Sequence, residues 1–249
     1  MKRLIMALDQ TEISYKNSSN LQGVLFEQIS REYAEILHLQ KRHPYSQYLY
    51  KEKEKTLWCV NALDEEAEAE IIEPLNREEF QEFEIKKQGK KVRILEKSLV
   101  ETTPHQLVKA FYSEPPEHFF EVELLTPTAF KQKGRYVIYP DLRLLYQSLM
   151  NKYSAVSSEM EMMDEDTLEL LAEKSEIVKY YLRTTAFPLE GIRIPAFWGS
   201  FTIKIDGPDT LAAYVRLLLT FGEYAGVGIK TAMGMGAVRL WEGGRKRER

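Results

Sequence analysis

"GVGIKTAMGMG", residues 226–236, holds four of the chain's 13 glycines in eleven positions. Before it stands "DTLAAYVRLLLTFGEYA" (209–225), with apolar residues at helical spacing and Asp209 as its expected cap. After it stands "AVRLWE" (237–242), which reads as a strand. Gly222 can end the helix, and Gly226 and Gly228 can turn the chain. That leaves Gly234 and Gly236 unexplained. The order G-x-x-x-x-G-K-S/T of a phosphate loop is not met. The dinucleotide fingerprint fails as well, because here a helix precedes the glycines instead of following them. What remains is a loop whose backbone can approach a large ligand closely. Its amides would be free to meet phosphate oxygens or base edges, and Lys230 would supply charge beside Thr231.

Outward from that loop, long strand patterns cover "IVKYYLRTTAF" and "AFWGSFTIKI". Helical ones cover "DLRLLYQSLMNKYSAV", with Pro140 near its start, and the acidic "DEDTLELLAEKS". The second half opens with the strand "HFFEVELLTPTAF", a basic turn "KQKGR" and the strand "YVIY". In the first half, "RLIMALD" reads as a strand and not as a signal peptide. A single amphipathic helix is expected from about Gln22 to His38. Two strands follow around Lys51–Lys55, then a helix capped by Asp64, a hairpin turning at Gly89, and a short helix opening at Pro104. This order approximates β-α-β-β-α-β. The expected fold is α+β, with two ferredoxin-like halves joined near 113–117: an N-terminal unit over 1–114, a C-terminal unit over 115–242 and a basic tail over 243–249.

The chain has 249 residues, 44% apolar and 29% charged, with a net charge of −4. This is the composition of an ordinary soluble protein, and no apolar run approaches the ~18 residues of a membrane span. The cytoplasm is the expected compartment. A single cysteine, Cys59, excludes an intramolecular disulfide and a cysteine-based zinc site. Net acidity argues against a nucleic-acid binder, yet basic residues crowd "LQKRHPYSQYLYKEK", "FKQKGR" and "GGRKRER". A phosphate responds to the field within about 10 Å, so one basic face suffices. No His/Asp/Glu cluster has metal-ligand spacing, and neither metal nor cofactor is expected.

A G-h-G-x5-G-h-G segment, with h apolar and a basic residue among the five, resembles the C-terminal signature of the CRISPR repeat-processing endoribonucleases. Residues 226–236 meet it in full. The chain length, the "LTPTAF" stretch, and the early helix ending in "ILH" before "PYSQYL" are similar too. The resemblance implies two tandem ferredoxin-like (RRM-like) domains. It also implies metal-independent cleavage of CRISPR precursor RNA within its repeats: the 2′-OH attacks the adjacent phosphate, leaving a 2′,3′-cyclic phosphate and a 5′-OH. Repeat RNA is then the expected partner, with other CRISPR effector subunits or a second copy as further possibilities.

Such a reaction needs a proton acceptor, a proton donor and a cation at phosphorus. The chain has four histidines, at 38, 43, 105 and 118. The resemblance makes His38 the leading acid/base, standing where the family carries its histidine; the other reading is a helix-capping histidine. His43, with Lys41 and Arg42 before it, is the second proton carrier, a phosphate contact or a plain surface residue. His105 and His118 are expected to be structural. Some family members add a tyrosine early in the helix. Here that position is Phe26, so Tyr33 or Tyr45 would have to substitute, and Lys41 or Lys51 would supply the cation. The proposed RNA-gripping set is Gly226, Gly228, Lys230, Thr231, Gly234, Gly236 and Arg42, and the basic "FKQKGRY" could grip phosphates or be a polar turn. Two rivals stand beside this reading: a non-cleaving RNA-binding subunit, and a ferredoxin-like module binding a small anion.

Overall fold

The computed structural model describes residues 1–40, 42–103, 106, 109, 117–156 and 162–242. Lys41, His105, most of the helix expected from Pro104, the expected boundary at 113–117 and the tail 243–249 lie outside the described residues.

The apolar alternation of the first strand makes it the centre of a sheet. In β1 (Lys2–Leu8), Leu4 and Met6 are fully buried against helices. Around it lie β2 (Tyr45–Glu52), β3 (Lys55–Ala62), β4 (Glu82–Ile85) and β5 (Lys90–Glu101), in the order β2-β3-β1-β5-β4. The register pairs Lys2 with Ala62 on one side and with Glu101 on the other.

The second half repeats the plan. Its sheet runs β11-β6-β10-β9, from β6 (Phe119–Leu124), β9 (Ser175–Leu189), β10 (Ile192–Ile205) and β11 (Val238–Glu242). A separate ribbon, β7 (Phe130–Gln132) with β8 (Arg135–Val137), carries the basic turn. In both sheets the unit's first strand lies between its last and its third, as two ferredoxin-like domains require.

Each sheet is covered by its own helices. On the first lie α1 (Ser18–Phe26), α2 (Arg31–Leu39) and α3, the helical run over 65–76. On the second lie α4 (Leu142–Val156), α5 (Glu165–Glu173) and α6 (Asp209–Ala225). Among the described residues no helix is long and apolar enough to cross a membrane.

Two local expectations need correction. The single helix expected over 22–38 is two helices. Ser30 takes an extended backbone, φ −64° and ψ 149°, and its Oγ accepts from the Tyr33 amide at 3.2 Å, so it starts a new helix rather than continuing the old one. Its hydroxyl also donates to Glu70 Oε2 at 2.7 Å. Asp209, expected to cap the helix after it, is instead that helix's first residue, behind Pro208. Its carboxylate pairs with His118 Nε2 at 3.0 Å. Asp64 does cap as expected, accepting from the Ala67 amide at 2.8 Å.

The two units meet through a polar chain anchored on the end of α6. Arg3 donates to Asn61 Oδ1 at 2.7 Å and to the Glu223 carbonyl, and its guanidinium lies 4.3 Å from the centre of the Tyr224 ring. Asn61 donates to Ser46 Oγ at 2.8 Å, and Ser46 donates to the Tyr224 carbonyl.

Replacing Ser30 by Ala removes the cap of α2, and a loss of about 1 kcal/mol in urea-unfolding free energy is expected, with added fraying of α2 in hydrogen exchange.

Candidate functional site

The helix α6 is apolar on nearly every side and must be buried, which leaves its C-terminal carbonyls in need of donors. Gly226 ends it at φ 68°. The chain then folds back on itself: the Val227 amide donates to the Gly236 carbonyl at 2.8 Å, and Met235 to Lys230 at 3.2 Å. The last two glycines are required by proximity. A Cβ on Gly236 would sit 2.0 Å from the Val227 oxygen, and one on Gly234 would sit 2.2 Å from Ser18 Cβ at the start of α1. Gly234 thus seats the loop against the N-terminal unit, and Gly236 lets the loop close on itself.

This changes the role expected for the glycines. The amides of Gly226, Val227, Gly228, Ile229, Met233, Gly234, Met235 and Gly236 all donate to protein oxygens, so they are not free for phosphate. Gly226, Gly234 and Gly236 are buried. Only Lys230 in this segment is exposed, held in a left-handed conformation at φ 58°. The glycines shape a stem, and the surface offered to a ligand is the short stretch around Gly228, Lys230 and Thr231.

That stretch walls a cavity of about 480 Å³, shared with His43, Arg42 and Lys131. His43 is half-buried just before β2, its ring 5.6 Å from that of Tyr45, and among the described residues nothing bonds its buried Nδ1. Burial, then the charges of Lys230 and His38, push its pKa below the usual 6.5, so the ring is neutral at pH 7 and able to accept a proton. Arg42 closes one side by donating to Asn151 Oδ1 at 3.1 Å.

His38 stands elsewhere. It lies in the last turn of α2, exposed, with its ring 5.1 Å from that of Phe26, and it lines a second groove of about 400 Å³ with Gln22, Lys86 and Lys87. The grooves are linked through side chains. Gln22 donates to the Tyr45 hydroxyl at 3.0 Å, and the Tyr45 ring lies against His43. The two tyrosines offered as substitutes for the missing hydroxyl are both buried, Tyr33 beneath α2 and Tyr45 within the sheet, so neither is presented to a ligand. Lys51 is exposed on β2 and lines neither groove. His118 bonds the Ile205 carbonyl and Asp209, as a structural residue would. The ribbon turn of "FKQKGRY" is exposed, and its Lys131 reaches the first cavity.

Sequence reasoning found the helix α4 and missed its part in the site. Its buried positions 144–146, 149, 150 and 153 leave Gln147, Ser148, Asn151 and Lys152 as a polar stripe along one wall of the cavity. Ser148 Oγ accepts from the Gly228 amide at 3.0 Å. Lys152 donates to the carbonyls of Ala225, at 3.3 Å, and Gly226, at 2.9 Å, and to Thr231 Oγ1, at 3.3 Å. The break in the apolar pattern of "LLYQSLMNKY" was the available signal. Among the described residues no group of three His, Cys, Asp or Glu could hold a metal ion.

Gly234→Ala should cost about 2–3 kcal/mol in thermal or urea unfolding, since the new methyl meets helix α1 from a left-handed backbone. His43 carries a pH signature of its own. Its folded pKa lies below its unfolded one, so between them the unfolded chain holds more protons and stability falls as pH drops. Relative to His43→Gln, the wild type is expected to lose stability from pH 7 to pH 5; parallel urea-unfolding curves at each pH would show no such effect.

Comparison with known proteins places this geometry. Residues 122–238 match the profile of "CRISPR-associated endoribonuclease Cas6". A Streptococcus thermophilus protein of that name is 37% identical over 97% of this chain and 99% of its own length. One from Mycobacterium tuberculosis is 39% identical over 89% of this chain and 70% of its own. Among solved structures, a Cas6 product complex superposes with a TM-score of 0.81 at 23% identity, covering 97% of this chain and all of that one. Thermus thermophilus Cas6 superposes at 0.71 and 20% identity, over 96% and 98% of the two chains. With relatives this similar from end to end, and with two ferredoxin-like domains bridged by the glycine loop, the chain belongs to the CRISPR-associated endoribonuclease Cas6 family.

Proposed function

We infer that this protein is an endoribonuclease that cuts CRISPR precursor RNA within its repeats. The observation that carries the reading is the 37% identity to a Cas6 endoribonuclease across essentially the whole of both chains. Repeat RNA is the partner, and the cytoplasm, where such transcripts are made, is the compartment. The working units are those expected from sequence, 1–114 and 115–242.

The site residues are our assignment. His38 is the main acid/base, placed on an open groove where a strand can reach it. His43 assists it. Its neutral ring and unbonded Nδ1 suit a proton acceptor, and its pKa responds to the charges of both Lys230 and His38, which puts the three in one electrostatic field. Lys230 and Arg42 supply positive charge for the backbone phosphates and for the extra charge that develops on phosphorus. Lys41 belongs to the same basic stretch. The 2′-OH gives up its proton as it attacks, and the leaving 5′-oxygen takes one up.

The rival reading, an RNA-binding subunit that does not cut, draws on one observation: His38 and the glycine loop line separate grooves. Single-turnover cleavage of repeat RNA in EDTA separates the two. His38→Ala is expected to lower the rate by about 10²–10⁴-fold while RNA affinity stays within a few-fold. A 2′-deoxy ribose at the scissile position should abolish cutting; persistence of cutting there would sink the mechanism, and equal behaviour of His38→Ala and wild type would favour the rival.

A further inference from the structure

Lys152 is the most deeply placed cation of the glycine-loop cavity, and nothing in the proposed chemistry uses it. It projects from α4, and the groups around it are cationic. Arg42 lies near enough to act on its charge, and Lys131 and Lys230 line the same cavity beside the neutral His43. Among the described residues that line that cavity there is no carboxylate. What holds the ammonium is oxygen: the Ala225 and Gly226 carbonyls at the end of α6, and Thr231 Oγ1 across the loop. An ammonium has three donors, and these three contacts use them all. Lys152 therefore has no hydrogen left for a phosphate, and its contribution to RNA binding must be indirect.

We propose that Lys152 is a positioning residue for RNA cleavage: its ammonium clamps the end of α6 to Thr231, holding the glycine loop in the shape that presents Lys230 to the RNA beside His43. This rests on the reading of the loop as RNA-gripping. Thr231 follows Lys230 directly, so the clamp fixes the residue next to the exposed cation. The negative end of the α6 dipole favours the charged form at that point. A neutral amine has only two donors and no charge, so deprotonation releases part of the clamp.

The clamp is then sensitive to pH. Burial, with Arg42 adding to it, lowers Lys152 from 10.5 to about 7 in the free protein. RNA brings negative charge to the cavity and raises that value, so binding takes up a proton. Affinity must then fall as pH rises above the free-protein value. His43, lowered from 6.5 by burial, is mostly neutral over the same window in the free protein.

The test is binding and single-turnover cleavage between pH 6.5 and 8.5. Affinity is measured with a repeat RNA carrying 2′-O-methyl riboses, which cannot be cut. Wild-type affinity is expected to fall by up to about tenfold per pH unit above 7. Lys152→Met should bind about tenfold or more weakly at pH 6.5 and show a flat profile. Thr231→Val, which keeps the ammonium but removes one acceptor, should lie between them, and Lys152→Arg should restore part of the affinity and none of the pH dependence. Melting temperatures establish that each variant is folded. A folded Lys152→Met that binds and cuts with the wild-type pH profile overturns the proposal. If that variant does not fold, a wild-type affinity that is level from pH 6.5 to 8.5 overturns it instead. Lys230→Ala separates the two ideas. If it binds as tightly as wild type, the reading of the loop fails; if it binds weakly while Lys152→Met does not, only the clamp fails.

Discussion

The C-terminal end of α6 is the constraint on which the site depends. A long buried helix brings unpaired carbonyls to the centre of the molecule, at the negative end of its dipole. Donors arrive from both units. Arg3 and Ser46 of the first sheet serve Glu223 and Tyr224, and Lys152 of α4 serves Ala225 and Gly226. One helix terminus therefore joins the two domains and fixes where the glycine loop begins.

The loop inherits its geometry from that anchor. It leaves α6 at Gly226, crosses to α1, where Gly234 meets Ser18, and returns beside Val227 at Gly236. Gln47 strengthens the crossing by donating to the carbonyls of Ser18, at 3.0 Å, and Ala232, at 3.2 Å, while accepting from the Trp58 indole at 2.7 Å. A buried amide with these bonds satisfied rigidifies the contact between loop and sheet. In the proposed role rigidity favours binding, because a loop that presents one lysine to a flexible strand loses less order if it is already set.

The two histidines stand on two grooves, His43 beside α4 and the glycine loop and His38 beside α1 and α2. The Ser30 break matters here. It ends the first helix at Phe26 and lets the second bring His38 back over that ring, so the histidine belongs to a short, capped helix and not to the end of a long one. The periodicity of apolar residues is nearly the same in both descriptions, which is why the break was not legible in the pattern. A serine at an ordinary helical position reads as neutral until tertiary packing gives its hydroxyl a partner such as Glu70.

The class and order of the elements were legible in the amino-acid pattern, because alternation and helical spacing are local properties of which face is apolar. The sequence also determined family membership, through a glycine pattern that tolerates no Cβ at its close contacts. Tertiary structure alone decided what those glycines are for. Their amides are spent inside the protein, and their small size, not their hydrogen bonds, lets the loop fold closely on itself and, at Gly234, seat against α1. It also decided which cations share the cavity. Lys152 lies almost eighty residues before Thr231, and only folding α4 beside the end of α6 brings its ammonium to the loop. Charge and burial at such a point arise from segments distant in the chain, which local sequence pattern does not encode.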